Sequence, residues 1–230
     1  MKHRTRDDSG LTLAELMVVM MLIGLLSALV LSFVVSVSRN VSDSRVTNTN
    51  TNEASAATNE ITRMLRGATN LRVKNQPIDS PAFVDAGKTY VTFYTVVDTN
   101  SLDTRPMLVR FEVTAEGNLV EKRWLPDTSS VAPYWTFSSA AGTPTSTRVV
   151  AHGLTARPGS ANTLFTYLRS DQTTPIVGTG PNGSLTATQR VGMIGAVQVT
   201  VETQTSPGGR ASSSVLTNTV GLRNLPEGSS

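Results

Sequence analysis

A chain of 230 residues with a formal net charge of +3, of which 39% are hydrophobic and 16% charged, holds enough apolar material for one globular domain and an anchor. Its bases are scattered and not interleaved with aromatics, so a nucleic-acid footprint is not indicated. The absence of cysteine removes disulfides, thiolate nucleophiles and cysteine metal ligands together.

Residues 1–10 form a polar leader, with Lys2, Arg4 and Arg6 ahead of Asp7 and Asp8. After Gly10 an apolar run of 27 residues extends from Leu11 to Val37, and Glu15 is its only charge. At about 1.5 Å per residue, such a helix exceeds the roughly 30 Å hydrocarbon core of a bilayer and can span it with room to tilt. Three bases precede the run, whereas Arg39 and Arg45 follow it, which places the leader on the cytoplasmic side. An ordinary secretory signal ending at Ser36-Val37-Ser38 is the rival, with a soluble chain starting at Arg39. The run is long for a signal core, and Glu15 would have no purpose inside it. Gly24 is its one intrinsic weak point, and Ser27, Ser32 and Ser36 can return their hydroxyls to the helix backbone.

Glu15 needs a physical reason. A carboxylate at the start of an apolar helix is costly to desolvate unless it is protonated or paired. Near the headgroups of a membrane it is simply solvated. The segment Gly10-Leu11-Thr12-Leu13-Ala14-Glu15, followed by the apolar run, resembles the N-terminal methylation and cleavage motif of type IV pilins and the pseudopilins of type II secretion. The resemblance implies that a prepilin peptidase cuts between Gly10 and Leu11 and methylates the new amine. It also implies a filament whose core is a bundle of these helices. In that bundle the Leu11 amine of one subunit could meet Glu15 of its neighbour, offsetting two buried charges and setting the axial register. Leu11 stands where phenylalanine is usual. No proline lies in the membrane segment, the first being Pro77, so no kink is inferred.

Beyond Arg39 the composition turns polar, and Thr47-Asn48-Thr49-Asn50-Thr51-Asn52 is among the poorest helix-forming stretches of the chain. Periodicity returns at Ala54, Ala57, Ile61, Met64, Leu65 and Ala68, which predicts an amphipathic helix to about Ala68. Propensity alone favours a separate helix on a Thr/Asn linker, whereas the resemblance implies a near-continuous one.

From about Asn75 the period changes to two. Strands are predicted at Thr89 to Val97, Met107 to Val113, Leu119 to Leu125, Arg148 to Ala151, Thr163 to Leu168, Ile194 to Glu202 and Val215 to Arg223. The second and third are joined at Glu116-Gly117-Asn118 as a hairpin. Connections rich in Pro, Gly, Ser and Thr lie at Ser138 to Thr147 and Gln172 to Gly183. A long helix followed by many strands predicts an α+β fold, with the helix packed on one face of an antiparallel sheet. The division expected is a leader at 1–10, a transmembrane or filament-core helix at 11–38, an amphipathic helix and stalk at 39–74, and a β-rich head at 75–230. Asn59 to Arg72, Phe93 to Trp124 and Thr219 to Asn224 are loosely similar to minor pilins and the J-type minor pseudopilin.

Other features carry less chemistry. Gly178-Thr179-Gly180-Pro181-Asn182-Gly183 has the spacing G-x-G-x-x-G, but contains proline and leads into no convincing helix, so it reads as a turn. His152 has no neighbour suggesting a metal or a triad. Asp98, Asn100 and Asp103 could hold a cation such as calcium, without the spacing of the established calcium loop. Tyr134, Trp135 and Phe137 beside Pro133 are either a partner-contacting patch or core. Asn182-Gly183-Ser184 is a formal glycosylation sequon. No carboxylate pair or nucleophile–base set points to an enzyme, and no cofactor or metal is expected.

The expected function is a prepilin-like structural subunit of a type IV pilus or secretion pseudopilus, as a minor tip or priming component. Its partners would be the prepilin peptidase, other pilin or pseudopilin subunits, the inner-membrane assembly platform and membrane lipid. The chain would cross the cell membrane once, leader inside and head outside, before entering a surface filament. The alternative is a membrane-anchored or secreted cell-envelope binding domain that does not polymerise.

Overall fold

The apolar periodicity running from Ala54 onward becomes the buried stripe of one long helix, α1 (Leu13–Arg66). The computed structural model describes residues 12–73, 79–96, 105–137, 142–204, 213–222 and 225. Two units are distinguished, Met1–Arg45 and Val46–Ser230.

In the first unit, apolar side chains cover every side of the helix and all are exposed, from Leu13 to Val41. A helix that is hydrophobic all round needs lipid or neighbouring helices about it. It is long and apolar enough to cross a membrane. The chain passes Gly24 without leaving the helix, and the Ser32 hydroxyl donates to the Leu29 carbonyl at 2.9 Å.

In the second unit, α1 buries Asn50, Ala54, Ala57, Thr58, Ile61, Thr62, Met64 and Leu65. The expectation of near-continuous helix holds across Thr47–Asn52, although propensity argued against it. A tertiary bond compensates: the buried Thr203 hydroxyl donates to the Asn50 carbonyl at 2.7 Å, while within the helix the Thr51 hydroxyl turns back to the Thr47 carbonyl at 3.0 Å. Gly67 ends the helix where Thr95 and the Val96 carbonyl crowd in; a Cβ there would lie 2.5 Å from that carbonyl oxygen.

The strands follow in chain order as β1 (Phe83–Ala86), β2 (Tyr90–Thr95), β3 (Met107–Val113), β4 (Leu119–Trp124), β5 (Ser146–Ala151), β6 (Phe165–Leu168), β7 (Ala196–Thr203) and β8 (Ser214–Gly221). All pairings are antiparallel, which makes the fold α+β as predicted. Among the described residues the strands form two sheets instead of one, ordered β1-β2-β3-β4-β5 and β6-β7-β8. The predicted hairpin forms as β3 and β4, with Leu108 opposite Trp124 and Val113 opposite Leu119. Gly117 turns it with φ +86, and a Cβ there would meet the Leu154 carbonyl oxygen at 2.6 Å.

β1 was not predicted. It holds four residues, one of them Asp85, and so shows no apolar alternation, yet it is ordered by pairing Phe83 with Phe93 and Ala86 with Val91. The inner face of the larger sheet contributes Phe83, Val91, Phe93, Val109, Phe111 and Leu119 to a core shared with α1 and with Phe165, Val197, Val199 and Val201 of the smaller sheet. Lys88 joins the sheets: its carbonyl accepts the amides of Leu164 and Phe165 at 2.9 and 3.0 Å. Tyr167, buried beside that junction, donates its hydroxyl to the Gly87 carbonyl at 3.1 Å.

Candidate processing and assembly site

α1 starts at Leu13, and the residue before it supplies the cap. The Thr12 hydroxyl accepts the Glu15 amide at 3.3 Å, and the Glu15 carboxylate accepts the Thr12 amide and hydroxyl, each at 3.2 Å. This reciprocal arrangement satisfies two backbone donors that a helix leaves without partners at its first turn. It also places the carboxylate at the positive end of the helix dipole. Both side chains are exposed.

Of the residues predicted for processing and subunit assembly, Glu15 is therefore seen at the helix start. Gly10 and Leu11 lie outside the described residues. Thr12 was missed in the sequence, although Thr-x-x-Glu ahead of an apolar run was signal enough to find it.

A second polar constellation fastens the helix to the head. Glu60 accepts Arg63 at 2.7 and 3.1 Å, Arg123 at 3.0 Å and Arg148. Arg123 and Arg148 also donate to Glu121, whose side chain is 0% exposed. Burial alone would raise the Glu60 carboxyl, but the hydrogen bond and charge of Arg63, joined by the charges of Arg148 and Arg123, outweigh it and hold the group below its ordinary range. Two carboxylates thus meet three guanidinium groups across α1, β4 and β5.

The weaker sequence candidates fall in separate places. His152 is exposed; its amide donates to Glu53 at 2.8 Å and its Nδ1 lies 3.4 Å from the same carboxylate. The turn at Gly178 to Gly183 includes Pro181–Gly183 as a single 3-10 turn with Asn182 at φ 54. A one-turn helix, α2 (Ala187–Arg190), does follow it, capped reciprocally by Thr186 and Gln189. That helix corrects the expectation of none; four residues were too few to show a period. Tyr134 is exposed, whereas Phe137 is half-buried with its ring 5.3 Å from that of Tyr94, so the aromatic segment divides between surface and packing. Asp98, Asn100 and Asp103 lie outside the described residues. Among the described residues no group of three His, Asp or Glu side chains could hold a metal ion.

The sequence that sets Thr12 and Glu15 at the start of an exposed apolar helix matches a known pattern. A family profile for the prokaryotic N-terminal methylation motif covers residues 5–31. The chain carries that motif. It spans residues 5–10, the Gly10-Leu11 junction, the Thr12–Glu15 cap and most of the apolar run. The motif supports a likeness to type IV pilins and pseudopilins and a prepilin-like N-terminus of the kind a prepilin peptidase processes. A search of curated proteins finds no match to the chain.

Proposed function

We propose that this protein is a prepilin-like structural subunit, cut between Gly10 and Leu11 and assembled through α1 into a type IV pilus or secretion pseudopilus. The observation that carries the reading is the methylation motif at 5–31 leading directly into an exposed, all-apolar helix. Residues 1–10 are the leader, 11–38 the membrane and filament-core helix, 39–74 the amphipathic helix and stalk, and 75–230 the head. Removal of the leader gives Leu11 a cationic amine four residues before Glu15, where the Thr12–Glu15 cap ends. In a bundle of such helices, Glu15 of one subunit meets the amine of the next, because an unpaired charge there is heavily penalised.

The head's size and its loose similarity to minor pilins support a minor component at the tip or in priming. The chain waits in the cell membrane, leader inside and head outside. It is lifted by the inner-membrane assembly platform into a filament with other pilin subunits. Its role is structural, and no residue is assigned to catalysis.

N-terminal sequencing of the mature chain tests the reading. A start at methylated Leu11 is expected, and Gly10→Val should accumulate as uncut precursor. Normal maturation of Gly10→Val, an intact Met1 or a start at Arg39 would overturn it in favour of an anchored or secreted binding domain.

A further inference from the structure

α1 is one helix with unequal support along its length. From Leu13 to Val37 its apolar side chains are exposed, so lipid or neighbouring helices hold it. From Asn50 onward the head holds it, through buried Asn50, Ala54, Ala57 and Ile61. Residues 38–49 lie past the apolar run and before the first buried residue. Asp43, Val46 and Thr47 are half-buried there, and the others are exposed.

Their composition does not make up for this. Apart from Arg39 and Arg45 they are Ser, Asn, Val, Asp and Thr, each about two- to threefold less favourable in a helix than alanine. The polar ones bond their own backbone equally well outside a helix, and valine loses side-chain freedom inside one. Asp43, Arg45, Thr47 and Thr49 keep polar contacts of their own, but at such positions these add little. The deficit multiplies along the segment, and a helix without a packed face is marginal in water. Gly24 is the other weak point of α1, but it lies within the apolar run, where lipid would offer its opened backbone no water.

We infer that residues 38–49 are a release segment of α1: they open while the helix persists on either side, so that the head moves independently of the membrane helix and a protease reaches the chain there. Regions with few buried contacts open locally in this way, well before the whole domain unfolds. This goes beyond the subunit reading and does not depend on it, since an anchored domain that never polymerises would carry the same segment.

The helix supplies its own control. Arg39 and Arg45 lie in the segment, Arg63 and Arg66 lie in the head-supported part, and all four are exposed. Trypsin is applied to the full chain in detergent micelles, the cuts are identified by mass, and amide exchange is followed in parallel. Cleavage after Arg39 and Arg45 should be at least about tenfold faster than after Arg63 and Arg66, because cutting follows the population of the open form. Exchange in 38–49 should likewise exceed that of Ile61 to Leu65 by at least about tenfold. A chain combining Ser38→Ala, Ser42→Ala, Ser44→Ala and Asn48→Ala, all at exposed positions, should slow both processes in the segment by at least about tenfold and leave Arg63 and Arg66 as they were. Equal cleavage at the four arginines, equal exchange in the two parts of α1, or a combined variant that is cut as fast as the parent would each overturn the release segment, and none of these outcomes touches the subunit reading.

Discussion

Thr12 and Glu15 hold each other: the hydroxyl of the first takes the amide of the second at 3.3 Å, and the carboxylate of the second takes the amide of the first at 3.2 Å. The only charge of the apolar run is therefore tethered by a short side chain at the helix end. It is not free to swing across the helix surface. In the proposed bundle, where this carboxylate would meet a neighbour's amine, the tether would set both its depth and its direction.

Thr12→Val keeps the shape and removes the hydroxyl. Loss of such a cap costs about 1 kcal/mol, or roughly fivefold in local opening. Amide exchange at Leu13 to Leu16 in detergent micelles should quicken by about that factor. Thr12→Ser should restore the slower rate, and an unchanged rate in Thr12→Val would mean that the cap does not hold the helix start.

Acid should loosen the grip of the head on α1. Glu60 ionises below its ordinary value near 4.5 because Arg63, Arg148 and Arg123 outweigh its burial, and Glu112 is lowered likewise by Lys122 and Arg110 against its own burial. A folded-state value below the unfolded one contributes stability that is present above the unfolded value and is lost as pH falls through the folded one. Thermal melting of the solubilised chain should therefore be flat from pH 7 to about 5 and fall below about 4.5. Glu60→Gln should melt lower than the parent at pH 6, with the gap narrowing by pH 3.

The packing of α1 rests on its apolar stripe. Ile61 is fully buried between the sheets' inner faces and the helix, within the core that also holds Phe93 and Phe111. Ile61→Ala should cost about 2–5 kcal/mol and Ile61→Val about 0.5–1.5 kcal/mol. Denaturant midpoints that order the two the other way would show that the helix packs on the head through its polar flanks instead.

What was legible in the sequence was what repeats. The 3.6-residue spacing from Ala54 to Ala68 and the two-residue spacing of Met107 to Val113 each present one face to the core, so burial and pattern agree. Three features escaped because their cause lies outside their own residues. β1 exists only as a partner for β2, α2 is a single turn, and the division into two sheets follows from long-range strand order, with Lys88 bonding Leu164 and Phe165 where the sheets meet. At the candidate site the opposite happened: Glu15 drew attention as a charge in an apolar run, and its local partner Thr12, three residues away, passed as an ordinary polar residue.

Thr47–Asn52 shows most directly how tertiary contacts override propensity. Threonine and asparagine compete for backbone hydrogen bonds and disfavour helix interiors. Asn50 is nonetheless 0% exposed, and its carbonyl receives the Thr203 hydroxyl at 2.7 Å from the end of β7. Thr203→Val removes that donor and leaves a buried carbonyl with one bond fewer, at a cost of about 1–2 kcal/mol. Because the neighbouring residues hold the helix only weakly, the loss should be felt locally: exchange of the amides at Asn48 to Glu53 should quicken about five- to thirtyfold, while those at Ile61 to Leu65 change much less. Equal acceleration along the helix would instead show that α1 opens from Val46 to Arg66 as one unit, and that Thr203 secures the whole of it.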